Sequence, residues 1–240
     1  MNLLKRWPHL HSGRTELFRN ELKYLCSEGE LELIASAIRP LCALDSHTTG
    51  SGTYAIRSLY FDDSENSCYY DNENGTDPRE KFRIRIYNAS DQQITLECKK
   101  KQRYMTHKDS CSLTKEQYQM ILQGQLMPTS SDAPLLRKFY AQCQQRCLRP
   151  KVIVAYERTP FVYPAGNVRI TFDRNIGCST DIDGFFAQYL PLRPILPLGK
   201  QILEVKYDEF LPDFLYTVMD LSSLRQTAFS KYYLCRKFST

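Results

Sequence analysis

Several segments of this sequence place two charged residues two positions apart, with apolar residues between and beside them. In the segment KFRIRIYN, Arg83 and Arg85 alternate with Phe82, Ile84 and Ile86. Residues i and i+2 of a β-strand point to the same face, so such a segment predicts a strand with one apolar and one charged face. This alternation is the feature that most constrains the fold, because every such strand needs a partner for its apolar face.

The pattern predicts seven strands, over residues 17–25, 52–62, 81–88, 93–101, 151–161, 167–173 and 201–208. Four helices are predicted between and after them. They begin at a capping box of Ser27 and Glu30, at Thr114, at Pro134 and near Pro212. The predicted fold class is therefore α+β, an antiparallel β-barrel tunnel with a charged interior and with helices packed on the outside.

Composition fits a globular protein, with 42% hydrophobic residues and a net charge of +5. That charge is too small to indicate a nucleic-acid coat by itself, and we expect no nucleic-acid partner. Nine cysteines occur without a CxxC pair, which favours reduced thiols. The sequence has no apolar run long enough for a signal peptide or a membrane span, so we expect a cytoplasmic protein without direct membrane insertion.

The charged strand faces have two readings. An ordinary antiparallel sheet exposes one polar face to water. Here, however, the faces are rich in Arg and Lys, with about one acid per strand, and four amphipathic helices need the apolar faces as packing surfaces. A cationic interior would be unstable when empty, since like charges repel strongly where the dielectric is low. It would suit a polyanion with a divalent metal held by the acids. No glycine-rich phosphate loop is present.

Eight motifs carry a resemblance to a known family. In chain order they are ELKYL, RSLYFDD, KFRIRIYN, TLECKKK, AYERTPF, VRITFD, ILEVKY and FSKYY. Together they resemble the vacuolar transporter chaperone (VTC) domain in its short bacterial form, the polyphosphate polymerase branch of the triphosphate tunnel metalloenzymes (CYTH-like superfamily). The match implies an N-terminal extension over residues 1–13 and a single tunnel domain over residues 14–240. The implied activity is transfer of the γ-phosphate of ATP to a growing polyphosphate chain, with Mn²⁺ or Mg²⁺.

The resemblance also implies roles for twelve residues. Residues acting in catalysis by positioning and charge would be Lys23, Arg83, Arg85, Lys99, Arg158 and Lys206. Further phosphate ligands would be Lys108, Tyr156, Arg169, Ser230 and Lys231. Glu204 would hold the metal. The implied ligands are ATP and polyphosphate, and a membrane protein is an implied partner; the oligomeric state is left open.

Two positions depart from the family pattern. Ala228 stands where the eukaryotic polymerases carry a lysine, so one contact to the chain is missing. The wider tunnel family begins with an ExExK strand, whereas this chain has Arg19 before Glu21 and Lys23. The lost carboxylate favours the polymerase branch over triphosphatases and cyclases. Hydrolysis of tripolyphosphate or nucleoside triphosphate remains an alternative. So does a module that binds polyphosphate or inositol phosphate without catalysis.

Overall fold

The computed structural model describes residues 18–45, 48, 50, 52–103, 105–125 and 127–238, so the expected extension over residues 1–13 lies outside the described residues. The strands are β1 (Asn20–Ser27), β2 (Ala43–Leu44), β3 (Tyr54–Asp62), β4 (Arg79–Tyr87), β5 (Ile94–Gln102), β6 (Met105–Leu113), β7 (Arg149–Tyr163), β8 (Val168–Ser179), β9 (Arg193–Pro194) and β10 (Lys200–Tyr207). The helices are α1 (Glu28–Ile38), α2 (Ser67–Glu73), α3 (Lys115–Gln123), α4 (Pro134–Arg146), α5 (Asp213–Val218) and α6 (Lys231–Lys237). The α+β class is confirmed.

All ten strands belong to one antiparallel sheet. Eight of them follow the order β1-β10-β8-β7-β3-β4-β5-β6, while β2 pairs with β7 and β9 with β8. The two ends of this order approach each other, because Arg19 and Thr106 exchange two backbone hydrogen bonds of 2.9 Å. The sheet is therefore curled into a half-barrel. Whether it encloses a tunnel with a charged interior stays a prediction.

The helices cover the apolar faces of the strands, as the alternation predicts. On one side α4 packs Phe139 against Phe82 and Ile84 of β4, in a cluster that also contains residues of α3. On the other side α1 packs Leu31 into a cluster with Phe172 of β8 and residues of β1, β10 and α5. The curled sheet thus turns its apolar face towards the helices, and its charged side chains lie on the opposite, concave face.

Capping residues predicted the starts of helices α1 and α3 correctly. Ser27 and Glu30 form the expected capping box at α1, and Thr114 forms one with Gln117 at α3. Helix α3 ends at Gly124, whose φ of 71° lies in the left-handed region that glycine adopts without strain. None of the helices within the described ranges is both long and apolar enough to cross a membrane.

The alternation and capping patterns did not predict the two-residue strands β2 and β9, the strand β6, or the helices α2 and α6. Both missed helices are held by Asp62 at the end of β3, a carboxylate that is fully buried. Asp62 accepts hydrogen bonds from the backbone N–H groups of Cys68 and Tyr69 in α2, and from the Tyr232 hydroxyl in α6. One buried acid therefore ties α2 and α6 to the sheet, and α6 begins directly after Ser230.

We predict that Tyr232→Phe lowers the free energy of unfolding by about 1–3 kcal/mol, because the buried Asp62 carboxylate loses a hydrogen-bond donor. Urea unfolding measures the change. Tyr233→Phe is the matched control, since the Tyr233 hydroxyl donates to the exposed Glu73 carboxylate at 3.2 Å and should contribute little. Equal losses in the two variants would contradict the anchoring role of Asp62.

Candidate functional site

Two cavities lie on the concave face, of about 790 Å³ and about 920 Å³. They share a set of lining residues from β1, β4, β5, β6, β7 and β10, which we call the shared lining: Asn20, Glu21, Arg83, Arg85, Lys99, Thr106, Arg158 and Lys206. The two cavities are therefore two ends of one basin. The shared lining carries five cations and one carboxylate, so its side chains favour an anionic occupant.

The structure brings all twelve sequence-predicted site residues to this basin. The larger cavity is lined by Lys23, Arg83, Arg85, Lys99, Tyr156, Arg158, Glu204, Lys206, Ser230 and Lys231. The smaller cavity adds Lys108 and Arg169. Their convergence follows from the alternation, which places every charged pair on the same side of the curled sheet. Their roles in binding and catalysis stay predictions.

Glu97 holds the arginine pair in place, a function that the sequence analysis did not assign. Glu97 on β5 lies directly opposite Arg83 on the neighbouring strand β4. Its Oε2 accepts a hydrogen bond of 2.6 Å from Arg83 Nε. Arg85 Nη1 lies 3.7 Å from the same oxygen, and Lys108 Nζ lies 2.9 Å from Oε1. Burial opposes the charged carboxylate, but these three cations outweigh it and keep the pKa of Glu97 well below its usual range.

Asp173 forms a second such centre. It is fully buried and accepts two hydrogen bonds from Arg158, at 2.6 Å and 2.7 Å. Lys231 Nζ lies 2.6 Å from its Oδ2. Arg169 lies four residues before Asp173 on the same face of β8 but forms its ion pair elsewhere. Arg169 lies opposite Lys206 in the sheet and pairs with Asp45 at 2.9 Å instead.

Glu21 and Glu204 sit side by side among lysines. They occupy neighbouring strands, where Lys206 lies directly across from Glu21 and Lys23 directly across from Glu204. Lys206 Nζ is 2.7 Å from Glu204 Oε1, and Lys23 Nζ is 3.2 Å from Glu21 and 3.8 Å from Glu204. Burial raises the pKa of both carboxyl groups, but the nearby lysines lower it by more than burial raises it. Both carboxylates therefore stay ionised.

Tyr156 lies between cations on the floor of the basin. Arg85 donates a hydrogen bond of 3.3 Å to its hydroxyl, and Lys231 Nζ lies 4.8 Å from its ring centre. Burial raises the pKa of a tyrosine, but here Arg158, Arg85 and Lys231 lower it below the ordinary value. Such a hydroxyl is a stronger hydrogen-bond donor than an ordinary tyrosine, which suits contact with a phosphate oxygen.

Ser230 has a structural role that its motif did not reveal. Its hydroxyl oxygen accepts a hydrogen bond of 3.3 Å from the backbone N–H of Tyr233 and thereby caps α6. Lys231 is the first residue of that helix, so the cap positions its ammonium group over Asp173. The serine hydroxyl can still donate its own proton to a ligand while it accepts from the helix.

A divalent cation fits the pair of Glu21 and Glu204 only with help from a ligand. No group of three or more His, Cys, Asp or Glu side chains suited to a metal occurs among the residues that the structure describes. Mg²⁺ at nucleotide sites is commonly held by one or two carboxylates together with phosphate oxygens and water. The ionised Glu21 and Glu204 carboxylates match that arrangement and do not match an all-protein metal cage.

We predict that Arg85→Ala abolishes most of the thermal stabilisation that tripolyphosphate gives the protein, because a cation at the centre of the basin is lost. Arg83→Ala should have the same effect. It should also lower the melting temperature of the ligand-free protein, because Glu97 loses its closest partner. The alternation alone suggests instead that removing either arginine relieves repulsion.

Thermal melts with and without tripolyphosphate measure both effects. Arg174→Ala is the control, since Arg174 pairs with Glu28 and Glu32 of α1 and lines neither cavity. If Arg83→Ala and Arg85→Ala kept the ligand-induced shift of the wild type, the basin would not be the phosphate site.

The basin should also take up protons when it binds a polyanion. Burial is the main cause that lowers the pKa of Lys99 to about 7 and that of Lys81 to about 8. These pKa values lie below that of an unfolded lysine, so the ligand-free protein should become more stable as pH rises from about 7 towards about 10. A polyanion bound at the shared lining should raise the pKa of Lys99 again.

Calorimetric titration with tripolyphosphate at about pH 8, without metal and in buffers of different ionisation enthalpy, measures this proton uptake. Lys99→Arg is the matched variant, because arginine stays charged at this pH. It should bind with less proton uptake. Proton release, or the same uptake in both proteins, would contradict the lowered lysine pKa values.

Comparison with solved structures finds the same overall fold in another protein. A protein of Bacillus halodurans described as a candidate adenylate cyclase shares the fold, with a TM-score of 0.52 and 14% sequence identity, over 89% of this chain and 94% of the other. A protein of Pyrococcus horikoshii aligns over 92% of this chain and 99% of its own, with a TM-score of 0.49 and 12% identity. None of the curated proteins matches the sequence.

The family expected from the eight motifs is confirmed. The model of the VTC domain matches residues 18–239, which includes every strand and helix described above and all twelve predicted site residues. This chain belongs to the VTC domain family.

Proposed function

We propose that this protein is a metal-dependent polyphosphate polymerase that transfers the γ-phosphate of ATP to the end of a polyphosphate chain in the basin. The observation that carries the proposal is the charge of the shared lining, five cations against the single carboxylate of Glu21. Cations from separate strands reach this lining, so they can surround a chain of phosphates on several sides. Arg85 and Arg158 are buried there, and planar guanidinium groups match phosphate oxygens.

The reaction asks little covalent chemistry of the protein. A terminal phosphate oxygen of the acceptor chain attacks the γ-phosphorus of ATP, and a new phosphoanhydride bond forms. The bond between that phosphorus and the β–γ bridging oxygen breaks, and ADP leaves with the electron pair. The attacking oxygen is already anionic, so no general base is needed. Catalysis then consists of alignment and of charge stabilisation during transfer.

The residues of the basin divide these tasks. Phosphate oxygens are neutralised by Arg83, Arg85 and Arg158. The buried acids Glu97 and Asp173 hold the guanidinium groups of these arginines in fixed positions. Lys231 and the Tyr156 hydroxyl donate hydrogen bonds from the α6 side of the basin. Because Glu97 and Asp173 are buried and already paired with arginines, they position these cations and do not take part in proton transfer.

Glu204, with Glu21 beside it, would hold Mn²⁺ or Mg²⁺ together with phosphate oxygens. A bound divalent ion would neutralise charge on the transferring phosphoryl group. Glu204 also pairs with Lys206 at 2.7 Å, which is the purely structural role that the sequence left open. The two roles are compatible, since the lysine can move to a phosphate when the carboxylate binds a cation.

Two other functions use the same basin. Water in place of the acceptor chain would make the protein a tripolyphosphate or nucleoside triphosphate hydrolase. A basin that binds polyphosphate or inositol phosphate without turnover would make it a binding module. We favour synthesis because Arg19 stands in place of the first acid of the ExExK strand of the wider tunnel family. Arg19 pairs instead with Asp208 at 2.7 Å on the rim of the basin.

The proposal includes ATP in the cytoplasm as donor and a membrane protein that receives the product.

Incubation of the purified protein with ATP and Mn²⁺ tests the proposal, with gel analysis of the products. A ladder of polyphosphate together with ADP is the expected result. Free phosphate without a ladder would assign hydrolysis, and unchanged ATP together with tight binding of polyphosphate would assign a binding module. Either of these results would overturn synthesis.

We predict that Glu204→Gln raises the Mn²⁺ concentration needed for activity by at least about tenfold, because the site loses one anionic ligand. Metal-free binding of polyphosphate should survive, since the basin loses one negative charge. Activity is titrated with Mn²⁺ in both proteins. Glu157→Gln is the control, as Glu157 is exposed and accepts a hydrogen bond from Asn175. An unchanged metal activation curve in Glu204→Gln would remove Glu204 from the metal site.

A further inference from the structure

The two ends of the basin differ in how their cations are paired. At the end lined by Tyr54, each cation outside the shared lining has a carboxylate partner. Arg19 pairs with Asp208 at 2.7 Å, and Arg169 with Asp45 at 2.9 Å. Lys108 pairs with Glu97 at 2.9 Å. Each of these three cations therefore has an ion-pair partner before any ligand binds.

The opposite end of the basin differs. Outside the shared lining it is lined by Lys23 and Lys231, which pair with carboxylates, and by three further half-buried cations, Arg79, Lys81 and Lys101, which we call the Lys81 cluster. Within the described part of the chain, none of the three forms an ion pair. Lys81 donates to the Asn72 side chain at 3.1 Å, and Arg79 to the Thr76 carbonyl at 2.7 Å. The Asp77 carboxylate at this end accepts from the Arg103 backbone N–H at 2.9 Å.

The sheet places these cations where they repel one another. Arg79 lies directly opposite Lys101 on the neighbouring strand, and Lys81 lies directly opposite Lys99. Like charges facing each other across two strands are destabilising. Elsewhere on the concave face such a pair has carboxylates beside it, as where Lys99 faces Lys108 and the two lysines contact Glu21 and Glu97. The three cations of the Lys81 cluster form no ion pair with a described residue, although the Asp62 charge acts on Lys81 and the Glu21 and Asp77 charges act on Lys101.

The Lys81 cluster continues the row of cations that forms the centre of the basin. Arg79, Lys81, Arg83 and Arg85 alternate along β4, so they share one face and extend over about 20 Å. A triphosphate bound at Arg83 and Arg85 is too short to cover this row. Burial lowers the pKa of Lys81 to about 8, which shows that its charge is poorly compensated without a ligand.

We propose that Arg79, Lys81 and Lys101 form a further subsite, which binds the part of a linear polyphosphate that lies beyond the first three phosphate units. The inference rests on the proposed function only in that a phosphate chain occupies the basin. The Lys81 end is then the one through which a long chain passes, and the Tyr54 end, whose own cations are already paired with carboxylates, is not. The subsite makes affinity depend on chain length, since only longer chains reach it.

Calorimetry without metal tests the subsite with two probes, sodium tripolyphosphate and a linear polyphosphate of about 15 units. The double variant Lys81→Ala with Lys101→Ala should bind the long chain at least about tenfold more weakly than the wild type. It should bind tripolyphosphate within about twofold of the wild type, because the shared lining is intact. The single variants Lys101→Ala and Lys81→Gln give the same comparison if the double variant does not fold.

Lys100→Ala is the matched control. Lys100 lies between Lys99 and Lys101 on β5 but points to the other face, opposite Glu80. Its removal takes the same charge from the same strand and should leave the affinity for the long chain within about twofold of wild type. A loss in Lys100→Ala as large as in Lys101→Ala would mean that only the overall charge matters, and this would overturn the subsite.

Other outcomes also decide the question. An equal loss for tripolyphosphate and the long chain, or no loss for either, would overturn the subsite. So would a single-stranded oligonucleotide of about 15 nucleotides bound as tightly as polyphosphate, since the site would then be a general one for polyanions. The proposed synthesis fails separately, when ATP and Mn²⁺ give no polyphosphate ladder. In that case a chain-length effect confined to the Lys81 cluster variants would still support the subsite.

Discussion

The structure of the basin depends on buried carboxylates that each bind more than one cation. Glu97 contacts Arg83, Arg85 and Lys108, and Asp173 contacts Arg158 and Lys231. A buried guanidinium or ammonium group without such a partner would be strongly destabilising, because burial removes its hydration. The shared acids make it possible to bury many cations on one sheet face. They also leave an excess of positive charge, since one acid serves two or three cations.

That excess connects folding to function. The acids fix the directions of the arginines before any ligand arrives, so binding a phosphate chain needs little reorganisation of the basin. The remaining imbalance is compensated only when an anion enters, and a ligand that binds the folded state alone stabilises it by mass action. Helix α6 takes part in both, because Asp62 anchors Tyr232 in the core while Lys231 reaches the Asp173 pair.

The sequence predicted seven of the strands and the helices α1, α3, α4 and α5, because these elements depend on local patterns. Each of the seven segments with alternating residues forms a strand in the structure. Strand β6 was missed because its sequence, MTHKDSCSL, lacks regularly alternating apolar residues. The cross-strand partners could not be predicted in the same way. That Glu97 faces Arg83 depends on the register between β4 and β5, and a shift of one residue would send Glu97 to the apolar side. Local sequence carries the face of a residue, while its partner is set by the assembled sheet.

The same distinction explains why the ends of the basin could not be told apart from sequence. Arg169 and Lys81 look alike in the sequence, as each is a cation on the charged face of an alternating strand. In the folded chain Asp45, which comes from a loop before β3, reaches Arg169, and no described carboxylate forms an ion pair with Lys81. Loops therefore decide which cations are neutralised and which remain for a ligand. A basin built from similar strands acquires a direction through its loops, because Asp45 and Asp208 form ion pairs at one end, whereas Asp77 at the other end accepts a hydrogen bond from a backbone N–H.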